Sequence, residues 1–153
     1  MIGFSVLYKN INFLGEAQYI DDESSFYYKP WNYVDYALVI GNGYNSLDVN
    51  LKTMNVVQLT GLNPKRNWIK KNLSVPYAQP GELLVLLNEN YQGGTGVQYA
   101  KNWETYFNLD TGWICIGNPN YASTDKAVIF ANNTVAVVRE KTLLSVWIRP
   151  RFI

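Results

Sequence analysis

Short apolar runs separated by turn-forming residues extend along the whole chain, and this pattern constrains the fold more than any other feature. Within the runs, apolar residues either alternate with polar ones or form short unbroken stretches, and Asn, Gly or Pro lies at most joins. Both patterns are typical of β-strands bounded by turns. The sequence therefore predicts an all-β protein of about eleven short strands. The predicted strands are Phe4–Tyr8, Glu16–Ile20, Tyr36–Ile40, Ser46–Leu51, Val56–Thr60, Leu83–Leu87, Gly96–Ala100, Gly112–Ile116, Ala127–Phe130, Thr134–Arg139 and Leu144–Ile148.

Helices have little place in this pattern. Only two short helical pieces are predicted, near residues 64–72 and 102–107. Residues 75–81 (VPYAQPG) contain two prolines and a glycine and are predicted to be a linker. The linker divides the 153 residues into two β repeats, residues 1–76 and 77–153, which form either two small domains or one compact domain.

The two halves resemble each other in sequence. Phe13–Gly15 (FLG) matches Tyr91–Gly93 (YQG) at an offset of 78 residues, and Ile40–Asn42 (IGN) matches Ile116–Asn118 (IGN) at an offset of 76 residues. Two linked matches favour an internal duplication over chance similarity between hairpins that are rich in Asn and Gly.

A hairpin motif follows the first predicted strand. Tyr8 is separated by four residues from Phe13, and one further residue separates Phe13 from Gly15. This spacing resembles the signature of the βγ-crystallin superfamily, whose Greek-key units each begin with a hairpin folded back over its sheet. Such a hairpin needs two packed rings and a glycine with positive φ where the chain turns back. Tyr91 and Gly93 match the second aromatic and the glycine in the other half. The resemblance implies two Greek-key-like halves that form a β-sandwich of the βγ-crystallin type.

The same resemblance implies a calcium site in each half. Members of the superfamily often bind Ca²⁺ through a loop of acidic, amide and hydroxyl residues, which supply the oxygen ligands that hard cations require. The matching residues here are Asn42 and Ser46 in the first half and Asn120 and Ser123 in the second. Neither loop contains a carboxylate, so the resemblance implies a weak, degenerate Ca²⁺ site, with a purely structural loop as the alternative.

An aromatic cluster lies between Phe26 and Tyr36 (FYYKPWNYVDY). Sugar rings stack on Trp and Tyr faces while amide and carboxylate groups bind the hydroxyls, so the cluster predicts a carbohydrate site. The alternative is that the rings cover one end of the β structure or form a partner interface. The residues predicted to bind the ligand are Tyr28, Trp31, Asn32, Tyr33 and Asp35.

Composition narrows the classes of function. The chain has no His, which argues against the His-dependent nucleophile pairs of most hydrolases and against His-containing metal sites. A net charge of +1 supplies no broad field for nucleic acid. Cys115 is the only cysteine and is expected to be buried and reduced, which is compatible with a cytoplasmic location without fixing the compartment. No signal peptide and no transmembrane segment are recognisable.

The three adjacent acids Asp21–Glu23 resemble paired catalytic carboxylates. Adjacent side chains of a strand point apart, so a solvated loop is the favoured interpretation. We therefore expect a non-enzymatic structural or binding module. The alternative is a carbohydrate-binding lectin or the receptor-binding component of a toxin. A protein or glycan partner and an oligomer are both compatible with these expectations.

Overall fold

The computed structural model describes residues 1–153 and is all-β, with 50% of the residues in strands and 6% in helices. Fifteen strands form one curled sheet. They are β1 (Gly3–Tyr8), β2 (Glu16–Ile20), β3 (Ser25–Lys29), β4 (Tyr36–Ile40), β5 (Tyr44–Asn50), β6 (Asn55–Leu62), β7 (Ile69–Lys70), β8 (Gln79–Leu86), β9 (Thr95–Gly96), β10 (Thr105–Phe107), β11 (Ile114–Gly117), β12 (Lys126–Ala131), β13 (Thr134–Arg139), β14 (Thr142–Ile148) and β15 (Arg151–Phe152). Three 3-10 helices, Asp21–Glu23, Lys65–Asn67 and Gln98–Ala100, interrupt them. No helix has the length and apolar character needed to span a membrane.

Ten of the strands form two series with the same order. In the first series the order across the sheet is β2-β3-β6-β5-β4, and every neighbouring pair is antiparallel. In the second series the order is β10-β11-β14-β13-β12, again with every pair antiparallel. In both series, the last three strands along the chain follow one another through turns, and the last of them lies beside the second strand.

Irregular features of the two series also correspond. The ladder between the fourth and fifth strands shifts register after Asp48 in the first series and after Val137 in the second. A residue with positive φ lies in each of three corresponding turns, and the pairs are Ser24 and Gly112, Gly43 and Asn133, and Met54 and Glu140. The two series therefore share their strand order, the site of the bulge and the handedness of their turns.

Short strands cross from each series to the other. β7 follows the first series along the chain but pairs in parallel with β10, and β15 follows the second series but pairs in parallel with β2. Ile69 lies opposite Tyr106 and Arg151 lies opposite Gln18, so the crossings occupy corresponding registers. β1 and β8, which precede the two series, pair antiparallel with each other. The edges at β2 and β10 are thereby covered by a strand from the other series.

The opposite edges are covered in a similar manner. β9 pairs in parallel with β4, where Thr95 lies opposite Leu38. The beginning of β8 pairs in parallel with β12, where Gln79 lies opposite Val128. Covered edges leave fewer unpaired backbone groups for pairing with other chains.

The hydrophobic core is shared by both series. One cluster of 27 buried residues contains side chains from β2 to β6 and from β11 to β14. On β15, the Phe152 ring centroid lies 5.9 Å from that of Tyr19, 6.4 Å from that of Trp68 and 5.9 Å from that of Phe107. Tyr19 belongs to β2 and Phe107 to β10, so the crossing strand joins rings of both series.

Some expectations from the sequence are confirmed and others are wrong. The all-β class is confirmed, and predicted strands coincide with β2, β4 and β13. The helix predicted near residues 102–107 is wrong, because Thr105–Phe107 is held as a strand by its pairing with β11. The helix near residues 64–72 is reduced to one 3-10 turn, Lys65–Asn67, before β7. The linker prediction is wrong for residues 79–81, which belong to β8.

The two glycines of the hairpin motif differ in conformation. Gly15 has φ +92°, and a Cβ there would lie 2.7 Å from the carbonyl oxygen of Lys29. Gly93 does not have positive φ, whereas the following Gly94 does, at +85°. The expectation of a glycine that turns the chain back with positive φ is therefore confirmed at Gly15 and wrong at Gly93.

The strand series correspond at a longer offset than the tripeptides suggest. Ile40 ends β4, the third strand of its series, whereas Ile116 lies in β11, the second strand of the other. The pairing of the crossing strands instead gives Gln18 of β2 the same position as Tyr106 of β10, which lies 88 residues later. The longer offset arises because β9 and a 3-10 helix lie between β8 and β10, while only residues 9–15 join β1 to β2.

Replacing Gly15 with Ala should lower the free energy of unfolding by about 2 kcal/mol or more, because a Cβ would meet backbone in a left-handed conformation. Gly93→Ala is the matched control and should change it by less than about 0.5 kcal/mol, since its Cβ position has only Tyr36 nearby, at 3.7 Å. Urea unfolding followed by tryptophan fluorescence measures both values. Equal losses at the two positions would contradict the structure.

Candidate functional site

The two series differ on the side of the sheet that faces away from the core. Along β5, Leu47 and Val49 join the core cluster, so the alternating residues Ser46 and Asp48 point to the opposite side. This opposite side of the first series is termed the first outer face. Its central residues are Ser46, Asp48, Gln58 and Thr60, and all four are buried.

The corresponding side chains of the second series are mostly apolar. The cross-strand pairs Ser46–Thr60 and Asp48–Gln58 correspond in register to the pairs Val135–Trp147 and Val137–Ser145. Val135, Val137 and Trp147 form a second hydrophobic cluster with Cys115, against which Leu73 and Val75 pack. The same backbone arrangement therefore has an apolar layer in one series and a polar layer in the other.

Asp48 is the centre of the polar layer. Its side chain accepts hydrogen bonds from Ser46 Oγ at 2.5 Å, from Gln58 Nε2 at 2.9 Å and from Thr60 Oγ1 at 2.7 Å. Asp48 is only 5% exposed, so these donors replace the water that a carboxylate would otherwise require. Three donors on one buried carboxylate form a network that holds two strands and their side chains in one geometry.

The network extends to residues 30–35, the segment between β3 and β4 that carries Trp31 and Tyr33 of the aromatic cluster. Both the backbone N–H and the Nδ2 of Asn32 donate to Gln58 Oε1, each at 3.2 Å. At the end of the segment, the Asp35 backbone N–H donates to the Val49 carbonyl oxygen at 3.1 Å, and its carboxylate accepts the Leu51 N–H at 2.8 Å. The segment is therefore fixed to the sheet on both sides of Tyr33.

Two rings of this segment remain accessible. Trp31 is 54% exposed and Tyr33 is 72% exposed. The Tyr27 ring of β3 lies 6.3 Å from Trp31, centroid to centroid, and its hydroxyl donates to Glu23 Oε1 at 3.0 Å. This hydrogen bond to Glu23 raises the pKa of Tyr27, so the phenol stays neutral at physiological pH. Exposed rings on a fixed segment can bind a flat, weakly polar ligand surface.

The five predicted ligand residues separate into two groups. Trp31 and Tyr33 are exposed and flank Asn32. Tyr28 points into the core, where its hydroxyl donates to the Leu14 carbonyl oxygen at 2.8 Å, and Asp35 holds the backbone of Leu51. The surface of this segment that is open to solvent therefore consists of Trp31, Tyr33 and the accessible part of Asn32, whereas Tyr28 and Asp35 make structural contacts.

The hairpin motif residues lie in three places. Phe13 lines a cavity of about 280 Å³ together with Leu14, Tyr28 and Asn32. Tyr8 donates its hydroxyl to the Ala127 carbonyl oxygen at 3.1 Å.

In the longer connection after β8, the Tyr91 carbonyl oxygen accepts the Tyr36 hydroxyl at 2.9 Å. Phe13 and Tyr91 are thus in different surroundings, although both follow strands that pair with each other.

The residues predicted to bind Ca²⁺ also lie in separate places. Asn42 is in the β4–β5 turn, whereas the Ser46 hydroxyl is buried and donates to Asp48. Asn120 and Ser123 are exposed in the loop between β11 and β12. No group of three or more acidic, Cys or His side chains is arranged to hold a metal ion. Calcium binding stays a prediction from the sequence resemblance.

Two further groups carry side chains that can react, and each of them makes structural contacts. Cys115 is fully buried in the second hydrophobic cluster, and burial raises the pKa of its thiol. The three acids Asp21–Glu23 form an exposed 3-10 turn, where Asp21 pairs with Lys65 at 2.9 Å.

Sequence reasoning missed the Asp48 network. The signal was present as polar residues at alternate positions of two predicted strands, Ser46 and Asp48 in one and Gln58 and Thr60 in the next. Such alternation predicts a polar sheet face, but it does not reveal that the face is buried or which pairs meet across the strands.

A comparison with models of protein families found no match to this chain, and comparisons with curated proteins and with solved structures found none either. Function is therefore inferred from the site itself.

Replacing Asp48 with Ala should lower the free energy of unfolding by about 3 kcal/mol or more, because the donors of Ser46, Gln58 and Thr60 lose their acceptor in a buried site. Asp22→Ala removes an exposed carboxylate and should change it by less than about 0.5 kcal/mol. Urea denaturation of both variants measures the difference. A loss at Asp48 no larger than at Asp22 would show that the network does not stabilise the first outer face.

Proposed function

We propose that this chain is a non-enzymatic binding module of the lectin type, which binds a neutral carbohydrate on Trp31, Asn32 and Tyr33. The observation that carries the proposal is the attachment of exposed rings to a buried network. Asn32 makes two hydrogen bonds to Gln58, which in turn donates to the buried Asp48. A backbone segment that is already fixed loses little conformational freedom when a ligand binds, so more of the contact energy appears as affinity.

The chemistry of the surface favours a neutral, hydroxyl-bearing ligand. Trp and Tyr rings provide an apolar face for the C–H side of a sugar, and the Asn32 side chain provides hydrogen-bonding groups beside it. Two carboxylates near the segment in sequence already accept hydrogen bonds from this chain, since Glu23 accepts from Tyr27 and Asp35 accepts from Leu51.

We also propose that the fold arose by duplication of one Greek-key β unit. In each series three successive strands are joined by turns and the last returns beside an earlier strand, and this order supports a Greek-key unit. The shared bulge and turn positions support duplication better than the tripeptide matches do. Kinship with the βγ-crystallins rests on the Tyr8–Gly15 sequence motif alone, and a β-sandwich of that type is part of this proposal.

A protein contact is the second candidate for the same surface. Exposed Trp and Tyr are enriched at protein interfaces as well as at sugar sites. A contact between proteins would bury Trp31 against a partner or a second copy of the chain. If a second copy binds, Trp31→Ala would change the self-association measured by analytical ultracentrifugation.

Titration of the isotope-labelled protein with methyl glycosides of mannose, galactose and N-acetylglucosamine should shift the indole N–H resonance of Trp31 in the NMR spectrum. Trp31→Ala should lower the affinity at this surface at least about tenfold, because central aromatic contacts dominate binding energies.

Leu109→Ala is the control, since Leu109 is an exposed apolar residue, at 66%, outside the aromatic segment. It should leave the shifts unchanged. Absence of any shift at Trp31 with all three glycosides, or equal weakening in both variants, would remove the carbohydrate assignment.

A further inference from the structure

A cleft lined by three tyrosines lies at the second series, with part of its wall supplied by β1. It has a volume of about 410 Å³, within the range of about 300–1,000 Å³ typical of small-molecule sites. Its walls come from the end of β1, from the segment before β8 and from the loop between β11 and β12. The side chains that give it chemical character are Tyr8, Tyr77, Gln79, Tyr121, Ser123 and Asp125.

Two of its three tyrosine rings are fixed by the fold. The Tyr8 hydroxyl donates to the Ala127 carbonyl oxygen at 3.1 Å, and the Tyr121 hydroxyl donates to the Ser74 carbonyl oxygen at 2.7 Å. The Tyr121 ring also packs edge-on against Trp147, with centroids 6.2 Å apart. Tyr77 is different, because it is 84% exposed at the mouth of the cleft. The cleft thus has two rings held by hydrogen bonds and a third, Tyr77, that is far more exposed.

The charge inside the cleft is compensated. Asp125 accepts hydrogen bonds from Arg139 Nε at 2.8 Å and Nη2 at 2.9 Å, and it also accepts the Ala122 N–H at 2.8 Å. The guanidinium holds the pKa of Asp125 below its usual value, so the pair is ionised and neutral overall at physiological pH. A neutral ligand therefore fits the cleft better than a charged one, with the Gln79 amide and the Ser123 hydroxyl as hydrogen-bonding groups.

The cleft occupies a position in the second series related to that of the Trp31 surface in the first. Its loop, residues 118–125, joins the second strand to the third strand of its series, as residues 30–35 do in the first series. Val137 lies on its floor and corresponds in register to Asp48. The connection between the second and third strands thus carries Trp31 and Tyr33 in the first series and Tyr121 in the second.

From this correspondence and from the lining of the cleft we infer that the chain has a second carbohydrate site, formed by Tyr8, Tyr77 and Tyr121 with the polar edge of Gln79 and Ser123. The inference rests on the proposed function, because it assigns the same ligand class to both surfaces. It makes the chain bivalent, with one site at each strand series.

The test uses the full chain and the same three methyl glycosides at millimolar concentration. The backbone amide resonances of Gln79 and Ser123 report on the cleft, and the Trp31 indole resonance reports on the first surface. Both sets should shift in the wild type. In Trp31→Ala the cleft shifts should persist. In Tyr77→Ala the affinity measured from the cleft shifts should fall at least about tenfold, while the Trp31 shifts persist. Tyr77 is so exposed that its replacement should leave the fold intact, which the unchanged dispersion of the spectrum would confirm.

The outcomes separate the two assignments. Shifts at Trp31 alone would overturn the second site and leave the proposed function standing. Shifts at the cleft alone would support the cleft and remove Trp31 from the binding surface. Shifts at neither place would overturn both assignments. Cleft shifts with a proline-rich peptide and not with the glycosides would overturn the carbohydrate class in favour of a peptide groove.

Discussion

The structure depends on the pairing of strands across the two series. Neither series completes its own edges, because β2 is covered by β15 and β10 is covered by β7. The β1–β8 ladder joins the halves a third time, and the Phe4 and Val85 amides each donate at 2.9 Å to a turn of the opposite series, at Lys141 and Met54. Separating the halves would therefore break ladders and open the shared core at once.

This arrangement gives the chain two equivalent scaffolds with different chemistry. The second series buries Val135, Val137 and Trp147 beneath a crossing segment, which stabilises that face by the hydrophobic effect. The first series places Asp48 at the corresponding site and satisfies it with hydrogen bonds, a costlier solution whose benefit is a fixed geometry for Asn32 and its neighbours. We interpret the difference as specialisation of the first face for positioning the Trp31 surface.

The sequence was sufficient for the fold class and for many strands, because alternation of apolar residues is a local signal. It was insufficient where tertiary pairing decides the outcome. Thr105–Phe107 and the two-residue strands β7 and β15 are strands only because distant partners hold them. The tripeptide matches did not predict the correspondence in strand order, since Ile40 ends the third strand of its series and Ile116 lies in the second strand of the other. Trp31, Asn32 and Tyr33 were identified from their aromatic neighbourhood, but the support from Asp48 required cross-strand register.

We expect the two series to unfold as one cooperative unit, which native-state hydrogen exchange in increasing denaturant can measure residue by residue. Slow backbone amides in β3 and β6 should converge on the same unfolding free energy and the same denaturant dependence as slow amides in β11 and β14, because each series covers the edges of the other. If one set of amides exchanged through an opening of distinctly lower free energy while the other series stayed protected, the halves would be independent and the account would be contradicted.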